Sequence, residues 1–207
     1  MMKKTLLLSL SLLLLTACMN NESPKPSSDT VNKITQEDQE KRALKEALDA
    51  YSNATIKNDI PTLLTFVYPK VFTLLPKEKM KALLERMYAS GKAPNITEIK
   101  YKEISPIKSY DDGVYSVITS DMTMELKSPT PNNPEFESML LGRLQQQMGN
   151  EAQVSLNKQD HVFVVKRESK IIGINEQKSG WKFVGYDQAK KYATKNIIPQ
   201  SIVSHLN

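Results

Sequence analysis

The chain has 207 residues, a formal net charge of +5 and one cysteine, Cys18. Its charges are interspersed, which argues against a nucleic-acid-binding stripe, and a single thiol excludes both an internal disulfide and a zinc or iron–sulfur centre held by several thiolates. About 170 residues follow the N-terminal region, enough to bury one ordinary hydrophobic core.

The first seventeen residues have the three parts of a secretory signal peptide. Lys3 and Lys4 give a positive start, an almost unbroken leucine run occupies residues 6–15, and small residues precede Cys18. The run is too short to cross a bilayer, which takes about 20 apolar residues, and it lacks the polar face of an ordinary core helix. We predict that residues 1–17 are a leader, whose removal lowers the net charge from +5 to +3.

The junction Leu15-Thr16-Ala17-Cys18 resembles the lipobox of bacterial lipoproteins, which a dedicated peptidase cuts before the cysteine. The resemblance implies that Cys18 becomes the first residue, with a diacylglycerol on its sulfur and usually a third acyl chain on its amine. Two or more chains hold a protein stably on a membrane, so we expect a lipid-anchored protein of the cell envelope. The next residue is Met19, which would favour the outer membrane in a Gram-negative cell.

Residues 18–34 predict a flexible tether. They are polar, rich in Ser, Asn and Pro, and nearly free of large apolar side chains, so they cannot bury enough surface to offset the entropy of ordering. A coil of this length spans on the order of 20 Å. We expect residues 35–207 to form a single domain held near the membrane.

The start of that domain carries the signals of three helices. Thr35 and Asp38 are spaced like a capping box, and apolar residues then recur every three or four positions. Asn58-Asp59 ends this helix and caps a second one, which Tyr68-Pro69 interrupts because a residue before proline leaves the helical region. A third helix begins at Pro76, and we expect it to bury an apolar stripe. The stripe comprises Met80, Leu83, Leu84 and Met87.

From Ile96 the period changes to two, which is typical of strands. Asp111-Asp112-Gly113 separates two alternating runs, and Asp-Gly in that position predicts a hairpin. Three prolines keep residues 127–135 out of a central strand. Residues 136–149 return to helical spacing and predict a helix inserted in a connecting loop.

Three more strands are predicted in the second half. The runs HVFVVKRES, KIIGINEQ and WKFVGY are separated by short polar turns, which indicates an antiparallel meander. Pro199 then begins a closing helix with Ile202, Val203 and Leu206 on its apolar side. Helices followed by consecutive antiparallel strands predict the α+β class, with N-terminal helices packed on a curved antiparallel sheet.

This order of elements resembles the nuclear-transport-factor-2-like, cystatin-like superfamily, an α+β cone. The residues that carry the resemblance are ALKEALDAYSNATIKNDIPTLLTFVYPKVFTLLP, the strand-rich second half and the closing GWKFVGYD, roughly residues 38–187. The stretch YPKVFTLLPKEKM also looks like a lineage of bacterial envelope lipoproteins. The superfamily contains isomerases and dehydratases beside non-catalytic binding and assembly domains, so it leaves the activity open.

His161 is the catalytic candidate for an enzyme of this type, as a general base. Asp160 precedes it, but adjacent strand residues point to opposite faces, so the two cannot act together. A carboxylate from another strand could still contact His161. The simpler interpretation is a non-catalytic histidine that is either exposed at the surface or hydrogen-bonded within the protein. Turn chemistry is sufficient to explain Asp111 and Asp112. No phosphate loop, calcium loop or nucleophile elbow occurs, and we expect no cofactor and no metal.

Six aromatic residues are candidates for ligand contact. Inside a cone, the rings of Tyr and Trp could contact an apolar or ring-bearing ligand, while the Tyr hydroxyl or the Trp N–H forms a hydrogen bond with it. The alternative is that these residues pack in an ordinary hydrophobic core. The six are Tyr51, Phe66 and Tyr68 on the early helices and Tyr101, Tyr115 and Trp181 on the strands.

The leading hypothesis is a lipid-anchored, non-catalytic domain that binds a small apolar ligand or an envelope protein partner. One alternative is a small cone-pocket enzyme with isomerase-like or dehydratase-like acid–base catalysis. Another is an assembly role, in which the open sheet face pairs with a second copy to give a homodimer. No nucleic-acid partner is expected.

Overall fold

The computed structural model describes residues 35–91 and 93–206, apart from the side chain of Lys190. Its first helix, α1 (Gln36–Ile56), begins at a capping box. The Thr35 hydroxyl accepts a hydrogen bond from the Asp38 N–H (3.1 Å), and the Thr35 N–H donates to Asp38 Oδ2 (3.3 Å). The predicted helix start is therefore confirmed. The predicted leader and the tether with Cys18 lie outside the described residues.

Two short helices follow α1. The helix α2 (Ile60–Phe66) begins at Asp59, whose side chain accepts a hydrogen bond from the Thr62 N–H (3.2 Å). Tyr68 then leaves the helical conformation, and a 3₁₀ helix occupies Pro69–Thr73. Both boundaries agree with those predicted from Asp59 and from the proline.

The third helix, α3 (Lys77–Ala89), begins and ends where predicted, but its apolar stripe is not buried as expected. No residue of α3 is fully buried, and Leu83 is 46% exposed. The helix packs chiefly against α2, a short element that covers only part of one side. Periodicity identified the helix correctly, whereas the burial of Met80, Leu83, Leu84 and Met87 is corrected to partial burial at most.

Six strands in the described part of the chain form one open, curved antiparallel sheet, which confirms the α+β prediction. They are β1 (Asn95–Ile104), β2 (Lys108–Tyr110), β3 (Gly113–Lys127), β4 (Ala152–Asn157), β5 (Val162–Glu176) and β6 (Lys182–Gly185). Their order is β1-β3-β5-β4, with β2 paired to β3 and β6 paired to β5. The long strands β3 and β5 pair along their full lengths and form the centre of the sheet.

One predicted turn is wrong, because β5 is a single strand. The sequence predicts a break near Ser169, yet Ser169 pairs with Ser120 and Lys170 pairs with Thr119 in an uninterrupted ladder. The polar residues Lys166, Glu168 and Lys170 alternate along one exposed face of β5. A polar run of this kind has the composition of a turn, although it contains no glycine or proline to break the strand.

The helix α4 (Pro134–Met148) lies between β3 and β4 and confirms the helix predicted at 136–149. The Asn133 side chain caps it by accepting a hydrogen bond from the Phe136 N–H (3.1 Å). Near its other end, Gln145 Nε2 donates to the Val154 carbonyl of β4 (3.1 Å). Two elements were not predicted: the short edge strand β4 and the helix α5 (Tyr186–Ala193).

Helices cover both faces of the sheet. On one face, Leu44 and Leu48 of α1 pack on Ile118 of β3, and α4 packs around Met124, an even number of positions along the same strand. On the other face, α5 and the closing helix α6 (Gln200–Val203) pack around Tyr115. The described residues form one compact unit, and its core includes helices from before and after the strands.

Candidate functional site

His161 lies just before β5 and contacts a buried carboxylate. Its Nδ1 is 3.0 Å from Oε1 of Glu137, which is 4% exposed. The partner therefore comes from the helix α4 and not from another strand. When Nδ1 carries the proton it donates to Glu137 and leaves Nε2 as an acceptor. Asp160 contacts Asn157 instead, accepting a hydrogen bond from its Nδ2 (2.7 Å).

The position of this pair favours a structural role. His161 extends the β3–β5 ladder, because the Ser128 N–H donates to the His161 carbonyl (2.8 Å). Glu137 reaches it from α4, so the contact joins that helix to the end of the sheet. Neither His161 nor Glu137 lines any of the four cavities described below.

We expect His161→Ala to lower the free energy of unfolding by about 1–3 kcal/mol, because it leaves a buried carboxylate without its partner. The double variant His161→Leu/Glu137→Met should recover much of that loss, since an apolar pair can replace a buried polar one. Urea denaturation of each variant measures the difference. The exposed His205, changed to Ala, is the matched control; a loss as large there as at His161 would contradict the prediction.

The six aromatic candidates do not converge on one site. Alternate residues of β3 and β5 face opposite sides of the sheet, and the aromatic residues are divided between those sides. One cluster, under α1, contains Tyr51, Phe66, Tyr101 and Trp181, whereas the other, under α5 and α6, contains Tyr68 and Tyr115.

Within the first cluster the aromatic rings contact one another. Tyr51 and Phe66 meet edge to face with their centroids 6.3 Å apart. Tyr101 places its polar tip inside the protein, where its hydroxyl donates to the Leu48 carbonyl (2.8 Å) and contacts the Ser52 hydroxyl. Burial raises the pKa of Tyr101 to about 12, so the hydroxyl keeps its proton. The tip of this tyrosine is therefore already engaged within the core.

The second cluster contains an ionic contact that the sequence did not indicate. Glu176, at the end of β5, accepts a hydrogen bond from the Tyr68 hydroxyl (2.9 Å) and another from Lys70 Nζ (2.6 Å). Lys70 and Glu176 are more than one hundred positions apart in the sequence. The contact joins the 3₁₀ helix to the central strand, and burial raises the pKa of the Tyr68 hydroxyl well above its usual range.

We expect stability at acid pH to depend on Glu176. Burial opposes ionisation of this carboxyl, but Lys70 and Tyr68 together hold its pKa below the ordinary value of 4.5. A carboxyl with a lowered folded-state pKa stabilises the protein above the unfolded-state pKa, and it loses that contribution as the pH falls through the folded-state pKa.

Urea denaturation measures the free energy of unfolding of the wild type and of Glu176→Gln between about pH 6 and pH 3. The wild type should be more stable at the upper end, and the difference should shrink as the pH falls. Lys70→Gln should show a reduced pH dependence too, because it removes the cation that lowers the pKa of Glu176. A constant difference between wild type and Glu176→Gln across the range would refute the prediction.

An apolar groove lies between the first half of α1 and the chain that joins β1 to β2. Its lining includes the buried Leu44 and the partly exposed segment Ile104–Ile107, and the charged residues Glu37, Lys41 and Lys45 of α1 flank it. Its volume is about 510 Å³, and Ile104 is 43% exposed. We call this feature the apolar groove. It can receive an apolar group of a small molecule, since Ile104 and Pro106 are open to solvent.

Three further cavities have linings that are less apolar than that of the apolar groove. A sheet groove of about 450 Å³ crosses the open part of the sheet face, where Glu98 and Asp121 alternate with Lys100 and Lys166. A third cavity, of about 480 Å³, lies between α1 and the β5–β6 turn and includes Phe66 and Trp181 among its lining residues. A fourth, of about 210 Å³, lies between β2, β3 and the C-terminal segment, and Tyr115 lines it.

The open part of the sheet face is strongly polar. Lys102 Nζ lies 3.4 Å from Asp121 and 3.1 Å from Glu168, so charges of opposite sign face each other across three strands. The predicted homodimer, in which the open sheet face pairs with a second copy, would have to bury these charged side chains in its interface.

No family model, curated protein or solved structure matches the chain. Over the residues that the structure describes, none of the helices combines the length and the hydrophobicity needed to span a bilayer. Among these same residues, no group of three or more His, Cys, Asp or Glu side chains could hold a metal ion.

Proposed function

We propose that the protein is a lipid-anchored cell-envelope lipoprotein whose domain binds a small apolar ligand in the apolar groove without catalysing a reaction. The anchor follows from the lipobox-like junction before Cys18, and in a Gram-negative cell Met19 favours the outer membrane. The observation that carries the binding role is the groove itself, where Ile104 is left open to solvent above the buried Leu44.

The size of the groove favours a small molecule over a protein partner. A volume of about 510 Å³ lies within the range of ordinary ligand sites. A stable protein interface needs about 800 Å² from each partner, and the exposed large apolar side chains are not gathered at the groove. The others lie elsewhere: Leu74 directly follows the 3₁₀ helix, Leu83 is in α3 and Met139 is in α4.

The order of elements supports placing this domain in the nuclear-transport-factor-2-like, cystatin-like group. Three N-terminal helices precede a curved antiparallel sheet, as in such a cone. The helix α4 and the C-terminal helices are additions to that pattern. The group includes many non-catalytic binding domains, which agrees with a ligand-binding role.

The enzymatic alternative has one observation in its favour, the contact between His161 and Glu137 (3.0 Å). A carboxylate that orients an imidazole is a familiar acid–base arrangement. A substrate, however, needs a cavity beside Nε2, and none of the four cavities includes either residue in its lining. Binding without catalysis is therefore the better proposal.

Fluorescence titration with 1-anilinonaphthalene-8-sulfonate, with decanol as competitor, tests the groove. The wild type should bind the probe saturably, and Ile104→Asp should weaken binding by about tenfold or more, because it puts a charge in an apolar site. Leu83→Asp is the matched control, since Leu83 is 46% exposed, close to the 43% of Ile104, and lies outside the groove. Equal losses in the two variants, or no saturable binding by the wild type, would overturn the proposal.

A further inference from the structure

We propose that the fourth cavity, named here the C-terminal cavity, binds a phosphate group. It lies between the sheet and the end of the described chain and holds about 210 Å³. The residues on which the proposal depends are Lys108, Tyr115, Lys170, Tyr186 and His205. This cavity has Ser105 in common with the apolar groove but otherwise a different lining, so variants in the remaining residues test the two proposals independently.

The charge of the lining selects an anion. Lys108 and Lys170 bring two ammonium groups and His205 an imidazole, whereas no Asp or Glu is among the described residues that line the cavity. Each of the other three cavities includes at least one carboxylate. Glu168 is the nearest recorded counter-charge, 3.8 Å from Lys170 Nζ, and it lies outside the lining.

The strand register brings these cations to one face. Lys108 pairs directly with Tyr115 in the β2–β3 ladder, and side chains of directly opposed residues lie on the same side of the sheet. Lys170 pairs with Thr119, four positions along β3 from Tyr115, and therefore shares that side. The cations are thus held on neighbouring strands of a rigid sheet.

The C-terminal segment closes the other side of the cavity. The Tyr186 hydroxyl of α5 donates a hydrogen bond to the Leu206 carbonyl, which fixes the last turn of the chain above the sheet. His205, next to Leu206, reaches the cavity from this side. The cavity is therefore bounded by three elements that are distant in sequence.

A buried donor supplies the second, independent observation. Tyr115 is 2% exposed, and its hydroxyl has no hydrogen-bond partner among the described residues. Burial raises the pKa of this hydroxyl, so it keeps its proton at neutral pH. A hydrogen bond to an acceptor would satisfy this buried donor. Tyr115 lines the cavity and lies directly opposite Lys108, so an oxyanion beside Lys108 is the acceptor in this proposal, reached when the side chains that cover the hydroxyl move aside.

The volume limits the ligand to a phosphate-sized group. About 210 Å³ is smaller than an ordinary drug-sized site of about 300–1,000 Å³, so the cavity does not enclose a nucleotide. Lysine ammonium groups bind phosphate as point charges, and two of them match its charge. The phosphate could be free or could belong to a lipid headgroup.

Calorimetric titration of inorganic phosphate at constant ionic strength tests the site in the mature chain. Binding should be saturable, and Lys108→Gln/Lys170→Gln should weaken it by about tenfold or more. Tyr115→Phe keeps the buried ring and should weaken it by about threefold. The matched control, Lys77→Gln/Lys79→Gln on α3, should stay within about twofold of the wild type.

Vesicles distinguish the two sources of phosphate. A Cys18→Ala chain from which residues 1–17 have been removed, so that it carries neither the apolar leader nor a lipid, is mixed with phosphatidylcholine vesicles that contain or lack phosphatidic acid. If the protein binds inorganic phosphate, the ligand is a free phosphate. If it binds only vesicles that contain phosphatidic acid, and this binding depends on Lys108 and Lys170, the ligand is a lipid headgroup. Binding of neither, or equal weakening by the control pair, would overturn the proposal.

Discussion

Cys18→Ala should release the protein from the membrane fraction of cells that express it. Each buried acyl methylene contributes roughly 0.8 kcal/mol, and two or more chains are needed for stable attachment. The acyl chains on Cys18 are the proposed attachment. Fractionation of cells that express the parent and the variant measures the effect, and Ser23→Ala, within the tether, is the matched control.

An uncut leader could itself hold the variant on a membrane, so the experiment needs a second form. Residues 1–17 are replaced by a signal peptide that is removed without lipidation, and this form should be recovered as soluble protein. Mass spectrometry of the parent should show the added mass of a diacylglycerol and an acyl chain on Cys18. A parent of unmodified mass, or a membrane-bound variant in the second form, would refute the anchor.

Gly113→Ala should lower the free energy of unfolding by about 3 kcal/mol, because the site has no room for a side chain. Gly113 begins β3 directly after the Asp111-Asp112 turn and pairs with Glu176. A Cβ added there would lie 2.2 Å from the Asn175 carbonyl oxygen, far inside van der Waals contact. That oxygen belongs to the backbone of the central strand, so no rotamer change relieves the clash.

The matched control is Gly142→Ala in α4. A Cβ at Gly142 meets nothing within 4 Å, and alanine is favoured over glycine in a helix by about 0.5–1 kcal/mol. The same substitution should therefore be destabilising at Gly113 and stabilising at Gly142. Chemical denaturation measures both changes, and a Gly113→Ala protein as stable as the wild type would contradict the expected clash.

The features that could be predicted from the sequence are set by neighbouring residues. The capping box of Thr35 and Asp38, the Asp-Gly hairpin and the helix that includes Phe136 all depend on side chains within a few positions of one another. Local conformational preference is visible in one sequence because its causes are local. The break predicted near Ser169 was wrong for a related reason, since an exposed strand face and a turn share a polar composition.

The contacts of the candidate sites depend on tertiary structure and could not be predicted in the same way. His161 and Glu137 lie 24 positions apart, and Lys70 and Glu176 lie 106 apart, so their meeting depends on the sheet register. The six aromatic residues were predicted to contact a ligand or to pack in the core, but their division between two clusters follows from which helices cover each face of the sheet. The alternation of side chains along a strand shows that the sheet has two faces, but it does not show which helices cover them.

The helices at the end of the chain have a consequence for secretion. Ile197, Ile198 and Ile202 are almost fully buried and complete the core around Tyr68 and Tyr115. In the proposed exported protein the leader enters the translocation channel first, so these isoleucines pass through it after all six strands of the sheet. Until they emerge, one face of the sheet stays uncovered and the chain cannot finish collapsing. Delayed folding of this kind would keep the polypeptide loose enough for transit and would restrict maturation to the far side of the membrane.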